Sequence, residues 1–141
     1  MIKILGIQLV LCQLLFGAIA YAEENMNDVF VYYMPFDVDT YVPVTAENIV
    51  EQSFCKLAFS ESSDVAKSLK YLLTKATAGA FSNKVVRMRV SRPNGVDIFV
   101  DMDGGVLITG DEQHKRLSGD DFTVLKALME SLSVNSDCSS K

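Results

Sequence analysis

The segment at residues 84–109 alternates apolar and polar side chains around two turn signals, and this pattern constrains the fold more than any other feature. Alternation with a period of two is typical of strands that bury one face. Pro93-Asn94-Gly95 fits a three-residue hairpin loop with Gly95 in the left-handed position, and Asp103-Gly104-Gly105 fits a second turn. We therefore predict a three-stranded antiparallel meander. The first turn pairs Val90 with Ile98, Met88 with Val100, and Val86 with Met102.

This register divides the meander into two faces, because successive side chains of a strand point in opposite directions. The face expected to pack against helices carries Val86, Met88, Val90, Ile98, Val100, Met102 and Leu107. The opposite face, called the outer face below, is expected to carry Arg87, Arg89, Asp97, Phe99, Asp101, Val106 and Ile108, with Arg87 opposite Asp101 and Arg89 opposite Phe99.

Apolar side chains flanked by arginines match the composition of a protein-binding surface. The residues predicted to bind a partner are Arg87, Arg89, Phe99, Asp101, Val106 and Ile108. The alternative is that residues 36–43 or the C-terminal tail cover the outer face, which would make it a second core.

The rest of the chain predicts two further strands and three helices. The strands are expected at residues 29–34 and 54–59, where β-branched and aromatic residues or alternation occur. Ser63 and Ser118 are expected to cap amphipathic helices, and Thr45 to cap a short one. This order of elements predicts an α+β domain in which helices pack on one face of a mostly antiparallel sheet.

Residues 1–22 have the features of a cleavable signal peptide. A short positive start is followed by an interrupted apolar run and by Ala20-Tyr21-Ala22, and the run is too short to span a membrane. We expect one globular domain at residues 23–134, a tail at residues 135–141, and no stable membrane insertion after the leader is removed. The predicted location is the periplasm or the exterior.

Charge and cysteine content narrow the chemistry of the mature chain. Loss of the leader removes Lys3, so the net charge changes from −5 to −6, which argues against a nucleic-acid partner. In an oxidising compartment, Cys55 and Cys138 are expected to form a disulfide. These two cysteines and the single histidine, His114, do not supply the usual ligands of a zinc site, and we predict no metal or other cofactor.

Each pattern that suggests catalysis is incomplete. Asp101-Met102-Asp103 resembles part of a cation-binding loop, but the further ligands of a calcium loop are missing. His114 lies in a polar stretch, and no serine has the glycine-flanked setting of a nucleophile. The sequence therefore predicts that the protein is not an enzyme.

The favoured function is an exported binding protein that acts through a protein interface, such as an inhibitor or an immunity protein. Two alternatives stay open. A small-ligand module would use Tyr32, Tyr33, Phe36 and Tyr41, and a hydrolase would use Asp101, Asp103 and His114.

Export predicts a processed N-terminus. Because the small residues Ala20 and Ala22 precede Glu23, cleavage is expected between Ala22 and Glu23. Intact-mass measurement of the protein recovered from the periplasm or the medium should give a chain that begins at Glu23. A chain that retains Met1 in that fraction would contradict the prediction.

Overall fold

The computed structural model describes residues 27–93, 95–111, 113–136 and 138, so the predicted signal peptide at residues 1–22 lies outside the described residues. Within this part of the chain the elements follow in the order β1 (Asp28–Tyr33), α1 (Ile49–Gln52), β2 (Cys55–Ser60), α2 (Asp64–Thr74), β3 (Thr77–Ala78), β4 (Val86–Ser91), β5 (Asp97–Asp101), β6 (Gly105–Ile108), β7 (Lys115–Arg116) and α3 (Gly119–Asn135).

The described strands form one seven-stranded sheet in the order β2-β1-β4-β5-β6-β7-β3. Every neighbouring pair of these strands is antiparallel, and one isolated parallel bridge joins Val44 to Val85. The predicted α+β class with a mostly antiparallel sheet is therefore confirmed. β4 lies between β1 and β5, so the predicted hairpin occupies the middle of the sheet.

The hairpin register is confirmed near the turn and wrong at the far end. Gly95 has a φ of 79°, and the predicted pairs of Val90 with Ile98, Met88 with Val100 and Arg89 with Phe99 are present. A bulge between Val86 and Met88 then shifts the register, so Val86 pairs with Asp101. The pairs Val86 with Met102 and Arg87 with Asp101 are therefore wrong, because a bulge sets two residues of one strand against one of its partner.

The predicted facing of β6 is also wrong. Val100 pairs with Val106 and Ile98 pairs with Ile108, and directly opposite residues share a face of the sheet. Val106 and Ile108 therefore belong to the helix face, where they pack with the main core, while Leu107 joins the outer face. The turn between β5 and β6 decides this, because its length determines which residue of β6 lies opposite Val100.

The helices α2 and α3 cover the helix face of the sheet. Both begin where the sequence predicts, since the hydroxyl of Ser63 accepts from the amide of Ala66 at 3.2 Å and that of Ser118 accepts from Asp121 at 3.2 Å. These hydroxyls satisfy amides that a helix leaves without backbone partners. The most deeply buried members of this core include Val31, Leu69, Met88, Val100, Leu125 and Met129.

The short helix α1 lies on the outer face. Its N-cap residue is Asn48, so the prediction of Thr45 as the N-cap is wrong. The side-chain oxygen of Asn48 accepts a hydrogen bond from the Thr45 amide at 2.7 Å. Ile49 of α1 packs with Val44, Val86 and Phe99 in a second, smaller core. The outer face is therefore not bare, and the segment that follows β1 covers part of it.

Cys55 and Cys138 form the predicted disulfide pair. Their Cα atoms are 5.3 Å apart, and the pair joins β2 to the residues that follow α3. Linking residues separated by 83 positions stabilises the fold by about 4.5 kcal/mol in the chain-entropy model, because it restricts the unfolded chain. No helix in the described part of the chain is long and apolar enough to cross a membrane.

Candidate functional site

An apolar cleft of about 420 Å³ opens beside α2 on the helix face of the sheet. Its floor combines side chains of α2 with those of four neighbouring strands: Val29, Ala66, Leu69, Leu73, Val90, Ile98 and Ile108. Val96, which follows the β4–β5 turn, also lines the cleft. The cleft therefore lies at the end of the sheet where the β4–β5 hairpin turns.

Among the described residues, those that line the cleft include none from α3. The helix α3 lies toward the other end of β5, since Phe122 packs over Gly104 and its ring is 5.2 Å from that of Phe36. Near the β4–β5 turn, the apolar side chains of Val96 and Ile108 are only half-buried.

Charged side chains surround the cleft. Among its lining residues are Glu61, Lys67, Lys70, Arg92 and Lys115. Arg92 forms an ion pair with Glu61 at 3.2 Å, and Lys115 forms one with Asp111 at 3.6 Å. The site thus combines an apolar floor with a rim that is mostly basic.

Four of the six residues predicted to bind a partner are buried. The exposed fractions are 1% for Arg87, 8% for Phe99, 2% for Asp101 and 0% for Val106. Arg89 is half-buried on the outer face, and the half-buried Ile108 lines the cleft on the opposite face. The structure therefore does not bring these six side chains together on one exposed surface.

Arg87 attaches the segment after β1 to the sheet. Its guanidinium donates to the carbonyl of Val86 at 3.0 Å and to the carbonyl of Val38 at 2.9 Å. Burial lowers the pKa of Arg87, and the nearby carboxylate of Asp39 opposes this shift. Its hydrogen bonds to the chain explain why this arginine is buried rather than available to a partner.

Asp101 accepts hydrogen bonds from three backbone amides, two of them in or directly after the turn between β5 and β6. Its Oδ1 accepts from Asp103 and from Gly105, both at 2.8 Å, and its Oδ2 accepts from Ser82 at 2.9 Å. A Cβ at Gly105 would collide with the Asp101 carboxylate, so this approach requires glycine. Both oxygens are therefore engaged in holding the backbone.

The other residues of the hydrolase alternative are exposed. Asp103 lies two residues after Asp101, in the turn between β5 and β6. The centre of the His114 ring is 5.7 Å from that of Phe81, in an edge-to-face contact. Within the described ranges no group of three or more His, Cys, Asp or Glu side chains is arranged to hold a metal ion. No described contact joins His114 to either aspartate.

The exposed part of the outer face carries cations stacked on aromatic rings. Lys56 Nζ is 4.7 Å from the ring centre of Phe30 and 5.5 Å from that of Tyr32. The guanidinium carbon of Arg89 is 5.7 Å from the ring centres of Tyr32 and Phe99, and Arg89 also pairs with Asp97 at 2.8 Å. These contacts run across β2, β1, β4 and β5, so they form one continuous row.

The aromatic residues of the small-ligand alternative are dispersed. Tyr33 and Phe36 line a second cavity of about 210 Å³, Tyr32 belongs to the outer face, and Tyr41 is fully exposed. Burial raises the pKa of Tyr33, and the negative charges of Glu130 and Asp37 raise it further. These four side chains do not share a site.

Sequence reasoning missed the apolar cleft. The only local signal is in α2, where Lys67, Lys70 and Thr74 follow helical spacing beside the apolar Leu69 and Leu73. That stripe alone does not reveal which strands lie beneath it. No protein-family model, curated protein or solved structure matches this chain.

The packing of Phe99 generates a prediction about stability. Phe99→Ala should lower the free energy of unfolding by about 3–5 kcal/mol, because it removes a large buried side chain from the second core. Urea unfolding followed by circular dichroism measures this change. The matched control is Tyr41→Ala, which truncates an exposed aromatic side chain and should change the stability by about 0.5 kcal/mol or less. Equal stabilities of the two variants would contradict the second core.

Proposed function

We propose that this protein binds a small molecule with a hydrocarbon portion in the apolar cleft beside α2. The observation that carries the proposal is the cleft itself, about 420 Å³ in volume and floored by side chains of α2 and four strands. Ligand sites are concave, mostly apolar and usually preformed, with volumes of about 300–1,000 Å³. The cleft fits each of these criteria.

The construction of the floor supports a preformed site. Leu69, Leu73, Val90 and Ile98 belong to the main core, so their positions are held by packing on their other sides. A ligand in the cleft also covers the half-buried Val96 and Ile108, so it removes apolar surface from water without reordering the chain, which lowers the cost of binding. The proposal therefore needs no conformational change.

The proposed place of action is outside the cytoplasm, in the periplasm or the exterior. The sequence of residues 1–22 and the Cys55–Cys138 pair support this location, because disulfides persist in oxidising compartments.

Filling the cleft should block binding. Ile108 lines the cleft from β6, so Ile108→Phe adds volume inside it. The uncharged fluorophore phenylnaphthylamine, titrated into the purified protein, should bind saturably to the wild type. We expect affinity for it to fall about tenfold in the variant, which corresponds to about 1.4 kcal/mol.

Leu107→Phe is the matched control, because Leu107 is the preceding residue of β6 and packs on the outer face. It should bind the fluorophore as the wild type does. Methyl NMR of the wild-type protein provides a second measurement, in which Val90 and Ile98 signals should shift on titration and Leu107 signals should not. Absence of saturable binding by the wild type, or equal weakening by both substitutions, would contradict the proposed function.

A protein interface on the outer face is a second candidate function. The observation that favours it is the row of stacked cations and rings around Phe30, Tyr32, Lys56 and Arg89, since aromatic and arginine side chains are enriched at interfaces. An inhibitor or immunity protein is one form that such a binding protein takes. The surface involved is the exposed part of the outer face rather than the buried Arg87 and Phe99.

Site-specific crosslinking tests the interface. A photoreactive residue at position 56 should capture one defined protein from the compartment in which this protein resides, and Tyr32→Ala should reduce that capture about tenfold or more, as loss of an aromatic anchor does. A crosslinker in place of the exposed Lys84 provides the control. The interface would be ruled out if both positions captured the same proteins, or if Tyr32→Ala had no effect on capture.

A further inference from the structure

We infer that the cleft beside α2 selects an anionic single-chain amphiphile, with its hydrocarbon tail on the apolar floor and its acidic head group at the lysines of α2. This inference rests on the proposed small-molecule function and adds the chemical class of the ligand. The observation behind it is the charge of the residues around the cleft, which are mostly basic although the whole chain is acidic.

The basic rim is a local concentration of charge. Among the described residues, four lysine and arginine residues and one glutamate line this cleft, in a chain with 13 lysine and arginine residues and a net charge of −5. The residues are Lys67, Lys70, Arg92, Lys115 and Glu61. A cleft lined by one sign of charge raises the local concentration of ligands of the opposite sign.

Two of the four cations have no acidic partner in the described part of the chain. Arg92 pairs with Glu61 and Lys115 pairs with Asp111, whereas Lys67 and Lys70 form no described salt bridge. Since Lys67 and Lys70 are three residues apart in α2, their charges lie on the same side of the helix and repel each other. An anion placed between them relieves that repulsion.

The arrangement of α2 also matches the two parts of an amphiphile. Ala66, Leu69 and Leu73 contribute to the floor, while Lys67 and Lys70 stand beside them at the mouth. Lysine side chains lie along apolar surface with their stems and keep their ammonium groups in water. A carboxylate at the mouth therefore meets the ammonium groups while the tail that follows it covers the floor.

The occupant is a free molecule rather than a lipid of a bilayer. The apolar side chains of the floor are recessed rather than displayed on an outer surface, since Leu69, Val90 and Ile98 are buried. A ligand has to leave a bilayer to reach them. The acidic chain as a whole is also repelled by an anionic membrane surface.

A competition experiment tests the inference, in which ten-carbon probes displace phenylnaphthylamine from the purified full chain. It is done at neutral pH, with each probe below its critical micelle concentration. Decanoate, decanol and decyltrimethylammonium share a ten-carbon tail and differ in the charge of the head group. Decanoate should displace the fluorophore at a concentration about tenfold lower than decanol does, and the cationic probe should be the weakest. The preference for decanoate should shrink as salt is added, because exposed charges are screened.

Charge removal on α2 gives the matched comparison. The double variant Lys67→Gln/Lys70→Gln should bring the affinity ratio of decanoate to decanol close to one and leave decanol binding unchanged, since glutamine keeps the helix propensity of lysine. The control Lys75→Gln/Lys84→Gln alters the net charge equally at exposed lysines that do not line the cleft and should keep the wild-type ratio.

The outcomes separate the inference from the function on which it rests. Equal binding of decanoate and decanol, or an unchanged ratio in the α2 double variant, overturns the anionic head group and leaves the small-molecule function standing. Failure of phenylnaphthylamine and all three ten-carbon probes to bind overturns both. The protein should not sediment with phosphatidylglycerol vesicles. If it does, and the α2 double variant does not, the cleft binds a membrane lipid rather than a free amphiphile, and the inference is wrong.

Discussion

The pairing of β4 with β5 positions the side chains on which both faces of the protein depend. These two strands lie in the middle of the sheet, so their alternate residues reach into both cores. Val90 and Ile98 form part of the floor of the cleft, and Phe99 anchors the second core on the opposite face. At the end of β5, Asp101 holds the next turn through backbone amides and so directs β6.

The two faces of this sheet are covered in different ways, and the difference locates the candidate site. On the outer face, the chain after β1 folds back, with Val44 and Ile49 packing over Phe99 and Arg87 bonding to the Val38 carbonyl. On the other face, α2 and α3 cover the sheet, and Phe122 of α3 packs over Gly104, at the end of β5 away from the β4–β5 turn. The cleft lies beside α2 at the turn end of β4 and β5, where Val96 and Ile108 are only half-buried.

The charge around the cleft is opposite in sign to the charge of the whole chain. An acidic chain is expected to repel anions, yet the rim of the cleft concentrates basic side chains, and two of them, Lys67 and Lys70, lack acidic partners among the described residues. The same face of α2 thus carries both apolar and cationic groups. Among ligands with the same tail, the cleft is therefore proposed to prefer those with an anionic head group. A purely apolar cavity would show no such preference.

The sequence by itself determined what depends on near neighbours in the chain. Period, turn chemistry and local hydrogen bonds predict β1, β2, β4, β5 and β6, the caps at Ser63 and Ser118, the left-handed Gly95 and the α+β class. Tertiary structure alone decided the bulge at Val86, the facing of Val106 and the burial of Phe99. A bulge keeps the apolar pattern while changing the register, and burial depends on which distant segment folds over a face. The cleft is of this second kind, because its floor joins residues from one helix and four strands whose alignment no local pattern specifies.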